Sequence, residues 1–255
     1  MTRATLALAQ RALRLNLRRP QFLAPMLVFP SLLLAINTGG LERTTQLPGF
    51  PEVNGFLDFQ LAAAMVQALL LGGVTSGIAT ALEIEGGFFD RLVASPIPRG
   101  AIVVGRLLAA GVLGALVVTW FLTVGLVFGA TIEGGVGGVL VVYAIGVLAG
   151  VGFGAIGVLL ALRARNASTV QGIFPIVFVI LFLSSAFFPA DLLHAPADWV
   201  AAYNPLSYIA DGIRAPIIDG ISATPVLRGV AAAAGVVVVF GGLSIVALRG
   251  RLGAG

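Results

Sequence analysis

The chain has 255 residues, 58% of them hydrophobic and only 10% charged, with a mean hydropathy of +1.05. A soluble domain cannot bury that much apolar side chain, so the composition places the chain in a bilayer. Its net charge of +4 comes from arginine without any lysine, which points to topology and contact with anionic lipid and away from nucleic acid, and the absence of cysteine excludes disulfides and thiolate chemistry.

The chain opens on a basic segment. At about 100° per residue, Arg3, Arg11, Arg14 and Arg18 share one face of a helix, with Leu6, Leu13 and Leu17 beside it. This predicts an amphipathic helix over residues 1–20 that lies in the membrane interface; an unstructured basic tail that sets topology is the plainer alternative. No small-residue cleavage pattern follows the first apolar stretch, so that stretch is expected to be retained.

Crossing about 30 Å of hydrocarbon takes about 20 mostly apolar residues as a helix, because backbone polar groups must be satisfied within the segment. Six stretches in residues 21–250 are assigned as spans: Phe22 to Asn37, Phe56 to Leu82, Leu107 to Ala130, Val136 to Leu162, Val170 to Phe188 and Val226 to Leu248. The continuous Leu/Val/Ala/Gly runs lack the alternation of a membrane β-barrel. The predicted fold is therefore all-α, one membrane domain covering residues 1–255.

Pro25, Pro30 and Pro175 are expected to kink the first and fifth spans. On the second span Gln60 and Gln67 lie seven residues apart on one face, a pattern that fits either helix packing or the lining of a substrate path. Gly73 and Gly77 on the second span, and Gly146, Gly150 and Gly154 on the fourth, form small-residue faces suited to close helix contact.

The connector from Leu82 to Arg106 gathers acids, arginines and prolines. Glu83 and Glu85 leave the second span, Gly86 and Gly87 permit a sharp turn, and Phe88 to Ala94 have room for two helical turns before Ser95, Pro96 and Pro98 break them. Phe88 pairs with Leu92 and Phe89 with Val93 at helical spacing, giving an apolar side opposite Asp90 and Arg91. After the fifth span, Pro189, Pro196, Pro205 and Pro216 divide the chain into short pieces, with Trp199, Tyr203 and Tyr208 suited to a membrane interface.

Arginine placement orients the six-span arrangement. Arg3, Arg11, Arg14, Arg18, Arg19, Arg91, Arg99, Arg106, Arg163, Arg165, Arg249 and Arg251 fall on one side, and Arg43, Arg214 and Arg228 on the other. The positive-inside bias then puts both termini in the cytoplasm.

Two passages resemble a known family. Glu83 to Arg106 reads E-x-E-G-G-x-x-x-R-L-x-A-S-P-I-P-R-x-x-x-x-x-G-R, and Ser184 to Leu193 with Asn204 to Arg214 reads S-S-A-F-F-P-A-D-L-L and N-P-L-S-Y-I-A-D-G-I-R. Both are similar to the ABC-2 type permeases, membrane subunits of ATP-binding-cassette exporters, and most of all to the daunorubicin-resistance type of drug exporter. The resemblance implies a bacterial plasma-membrane permease that moves a lipophilic drug or lipid-like substrate outward, with polysaccharide export as the alternative. It implies an ATPase-coupling segment at Glu83, Glu85, Gly86, Arg91, Leu92, Ser95, Pro96 and Arg99. It also implies short external helices that dip toward the outer leaflet as a gate, at Phe187, Phe188, Pro189, Asn204, Pro205, Tyr208, Asp211 and Arg214. The implied partners are two copies of an ABC ATPase, which would bind ATP and magnesium, and a second permease subunit, identical or related, with the first and fifth spans at the interface between permeases.

The residues add a point independent of family. A P-loop needs a lysine and this chain has none, and its spans carry no acid or histidine away from their ends to relay protons. A pump of this kind is expected to draw on a separate motor and to bind no cofactor or metal itself. As an enzyme the chain would have to recruit its sole histidine, His194, from an external loop with no G-x-S-x-G motif. A membrane scaffold is the remaining rival, and the long connector speaks against it.

Overall fold

The computed structural model describes residues 2–252, with the side chains of Thr2, Phe174, Asp191, Arg251 and Leu252 outside the described set. Among the described residues the regular structure is eleven α-helices and two 3-10 turns, with no strand. The helices are α1 (Thr2–Leu17), α2 (Pro20–Leu41), α3 (Phe56–Glu85), α4 (Phe88–Ala94), α5 (Arg99–Val127), α6 (Gly135–Ala164), α7 (Ala167–Gly172), α8 (Phe174–Phe182), α9 (Ala197–Tyr203), α10 (Pro205–Ile218) and α11 (Ala223–Leu252).

Residue chemistry accounts for the breaks. Pro20 opens α2, where a missing N–H costs nothing, and Pro25 and Pro30 lie within it. Gly87, at φ 67°, turns the chain from α3 into α4 through a conformation that a side chain resists. The Asn166 side chain accepts a hydrogen bond from the Thr169 amide at 3.1 Å and so caps the start of α7.

Helix α3 is the hub. It packs against α2, α5, α6 and α10, and α6 in turn packs against α5 and α11. Small residues let the backbones meet: a Cβ on Gly77 would lie 2.8 Å from the Gly157 carbonyl oxygen, and one on Gly73 would lie 2.5 Å from that of Phe153. On the other side of α6, a Cβ on Gly150 would lie 3.0 Å from the Gly114 Cα of α5, and Gly154 faces Ala110. The glycine faces read from the sequence are thus helix-packing faces, the use expected where apolar attraction between helices is matched by lipid.

Among the described residues five helices are long and apolar enough to cross a membrane, namely α2 with the 3-10 turn after it, α3, α5, α6 and α11. The predicted fifth span, Val170 to Phe188, takes a different form. It is the pair α7 and α8, broken between Gly172 and Phe174 and finished at Phe182, and its 16 residues, Ala167–Phe182, measure about 24 Å. Pro175 brings no N–H to the ladder at the start of α8, and Ser184 and Ser185 turn the chain away from it.

The two ends of the bundle are distinct. Ile84, Phe89, Ile102, Leu162 and Leu248 form one buried cluster with Leu8 and Leu92 against it, so α1, α4 and the last turns of α11 share one end. At the opposite end the amides of Glu133 and Gly134 donate to the carbonyls of Ile217 and Pro216, at 3.0 and 2.9 Å. Helix α1 packs one side on α5: a Cβ on Gly105 of α5 would sit 2.9 Å from Leu8 Cβ and 3.1 Å from the Thr5 carbonyl oxygen.

Candidate functional site

The short helix α4 is fastened to the bundle by one face. Phe89, 1% exposed, is buried in the cluster at that end, while Asp90, Arg91, Ala94, Pro96, Pro98 and Arg99 are exposed. Leu92, Val93 and Ser95 are half-buried between them. The Ser95 hydroxyl donates to the Leu92 carbonyl at 2.6 Å, and the Arg91 Nε donates to the Gly87 carbonyl at 3.4 Å. Both bonds are local and hold the exposed turn in shape.

Behind α4 lies an ionic node. Glu83, 8% exposed, receives Arg11 of α1 on Oε1 at 2.6 Å and Arg106 of α5 on Oε2. Arg106, 9% exposed, also donates to the Thr80 hydroxyl at 2.8 Å and stands 5.5 Å from the Phe89 ring centroid. The Arg11 guanidinium lies 3.7 Å over the Phe88 ring. Two guanidinium groups and one carboxylate thus join α1, α3 and α5 and grip both phenylalanines of α4. Two cations stacked on rings beside their shared anion satisfy a charge that burial alone would make costly.

The eight residues of the predicted coupling segment therefore divide in space. Arg91, Pro96 and Arg99 are exposed, Leu92 and Ser95 are half-buried beside them, and Gly86 forms the turn. Glu83 points inward to the node, and Glu85 accepts a hydrogen bond from the Ala167 amide at 3.0 Å, bracing α7. Arg11, Arg106 and Thr80 belong to the node and were absent from the predicted set. Only Arg106 left a signal in the sequence, an arginine at the start of the third span facing the carboxylates that end the second.

At the opposite end a second buried arginine organises the segment after α8. Arg214, 6% exposed, donates to the Ala186 carbonyl at 2.6 Å and the Ser185 carbonyl at 3.3 Å, pairs with Asp211 at 2.6 Å, and lies 4.0 Å over the Phe59 ring of α3. Burial pushes the Asp211 carboxyl above its ordinary value, against the pull of the Arg214 guanidinium. Asn204 fixes the next joint: its Nδ2 donates to the Ile180 carbonyl at 2.8 Å while its Oδ1 accepts from the Leu206 amide at 3.0 Å, so one side chain ends α8 and starts α10. Pro205 is the first residue of α10, and the Tyr208 hydroxyl donates to the Ala202 carbonyl at 2.6 Å. Phe187 and Pro189 are buried and Phe188 is exposed.

Gln60 and Gln67 are each 1% exposed within the packed core. Among the described residues the Gln60 Oε1 and both amide atoms of Gln67 have no hydrogen-bond partner. Near the start of α3, Asp58 accepts from the Thr131 amide and hydroxyl at 3.3 and 3.2 Å on the wall of a polar recess. Among the described residues no group of three or more histidine or acidic side chains is arranged to hold a metal ion.

The family model of the ABC-2 type transporter matches residues 3–218, from α1 through the end of α10. The chain belongs to the ABC-2 type transporter family. Among curated proteins it is similar to the daunorubicin resistance ABC transporter permease protein DrrB1 of Streptomyces coeruleorubidus, with 29% identity over 165 residues. That alignment covers 62% of this chain and 56% of the relative, so the chain matches little over half of the relative's length. As an ABC-2 type chain with five long apolar helices it is a multi-pass membrane protein of a family of transport subunits.

Proposed function

We propose that this chain is the permease subunit of an ATP-driven exporter in a bacterial plasma membrane, and that its substrate is a lipophilic drug or a lipid-like molecule. The observation that carries the reading is α4, a short helix fixed to the bundle by Phe88 and Phe89 with Arg91 presented outward. A separate ABC ATPase, in two copies, binds ATP and magnesium and receives α4 in a cleft. Nucleotide-driven closure of the ATPase pair pulls on α4. The pull passes through the phenylalanine rings to Arg11 and Arg106, and so to α1, α3 and α5 together. Because α3 is the hub, a tilt at one end changes the packing of the whole subunit, and hydrolysis resets it.

The Arg214 staple would hold the segment around Phe187 and Phe188 as the outer gate, and two permease subunits would form the path between them. Both termini are cytoplasmic in this reading, with the α7–α8 pair as a shortened fifth crossing between α6 and α11. Support for that orientation is the shared end occupied by α1, α4 and the close of α11, which is also where the arginines cluster. The similarity to a daunorubicin resistance permease supports drug export over export of a sugar polymer.

The test is co-expression with the cognate ATPase. The two proteins are expected to purify together, and a lipophilic substrate is expected to raise ATP hydrolysis in the complex. Stable insertion of the permease with neither co-purification nor any effect on hydrolysis would contradict the reading.

A further inference from the structure

Between α3, α6, α8 and α11 lies a cavity of about 230 Å³ whose lining carries no polar side chain. Its walls include Leu70, Phe153, Leu160, Val177, Leu206 and Phe240. It forms where Gly73 and Gly157 draw the backbones of α3 and α6 together while α8, starting only at Phe174, stands off from both. We propose that this cavity is a binding site for a single hydrocarbon chain, supplied by a bilayer lipid or by the apolar part of a substrate.

Three observations lead there. The first is size: a dry apolar cavity of about 150 Å³ takes up benzene, so this one holds a larger apolar group. The second is shape, since the lining runs from Phe153 to Leu160 along α6 and from Ile173, which precedes α8, to Ile180 within it, about 10 Å in each case, which makes the space elongated along the helix axes. The third is access, because the lining residues Ile180 and Pro205 are exposed while Leu70, Val170 and Leu206 are buried. An elongated, wholly apolar space that reaches exposed residues of a membrane-spanning bundle fits a chain of methylenes.

A role for the site as a substrate subsite rests on the transport reading. Occupancy does not, and it is measured without the ATPase. The full chain in phosphatidylcholine nanodiscs is photolabelled in two arms, one with a phosphatidylcholine bearing a diazirine in its acyl chain and one with a diazirine-bearing octyl compound that has no headgroup. Labelled peptides are then mapped. Label is expected on the lining of α3, α6 and α8, displaced in saturable fashion by unlabelled octyl compound. It is expected to fall about tenfold in Ile156→Phe and Val177→Phe, the loss that follows when contacts of about two methylenes are denied. Val239→Phe, on the outward face of α11, is expected to leave it unchanged. Label in the first arm alone assigns the chain to a lipid, and label in the second alone to a free lipophilic solute. Label that is not saturable in the native chain, or that spreads over the outward faces and ignores the filling substitutions, overturns the proposal.

Discussion

The guanidinium of Arg11 lies 3.7 Å over the ring of Phe88 while the same side chain binds Glu83 at 2.6 Å. One residue of the first helix therefore holds the short helix α4 and the last turns of α3 at once. With Arg106 holding Glu83 and Phe89 from the other side, α4 cannot shift without disturbing a charge cluster that is mostly buried.

The node sets a rank order of stabilities. Glu83→Gln leaves Arg106 buried without its anion, and removing one partner of a buried pair costs about 3–5 kcal/mol. Arg11→Ala should cost no more than about 1 kcal/mol, because the Arg11 side chain is 42% exposed and Arg106 still neutralises Glu83. Thermal unfolding of the purified variants checks the order, and equal losses would contradict it.

Helix packing gives a contrast between two glycines. A side chain on Gly157 meets the Gly73 carbonyl and the Gly77 amide, so Gly157→Leu should force α3 from α6 and cost at least about 2 kcal/mol. Gly235→Ala on α11 meets nothing within 4 Å and should hold or raise stability by up to about 1 kcal/mol. Unfolding midpoints of the two variants distinguish these outcomes.

Arg214 is the staple of the segment after α8, since it binds the carbonyls of Ser185 and Ala186 and stacks on Phe59. Arg214→Ala should speed hydrogen exchange across residues 183–189 while leaving exchange in α3 and α6 unchanged. The Arg214→Lys variant keeps the charge but lacks the planar fork, and it should recover only part of the protection. Uniform protection in all three proteins would contradict the staple.

Much of the fold was legible because bilayer chemistry leaves few choices. Long apolar runs gave α2, α3, α5, α6 and α11, and the Gly86–Gly87 turn followed by Pro96 and Pro98 bounded α4. The fifth span was overextended because hydropathy does not register a break at Gly172 or the turn made by Ser184 and Ser185. At the candidate site, exposure of Arg91 followed from helical spacing around Phe89. The inward turn of Glu83 did not, because it depends on Arg11 and Arg106, 72 residues before it and 23 after it, and no local pattern announces such a pairing. The packing role of Gly146, Gly150 and Gly154 followed directly from their spacing.

In the proposed mechanism a separate ATPase works this subunit through the exposed side of α4. Its most direct test is ATP-dependent substrate movement in liposomes holding the ATPase with either the native chain or the double variant Arg91→Ala/Leu92→Ala. Both substitutions fall on exposed or half-buried positions, so folding and insertion should be retained, within about 1 kcal/mol. The variant should insert normally yet lose both movement and substrate-stimulated hydrolysis. Native rates in the variant, or uphill movement by this subunit with no ATPase present, would contradict that mechanism.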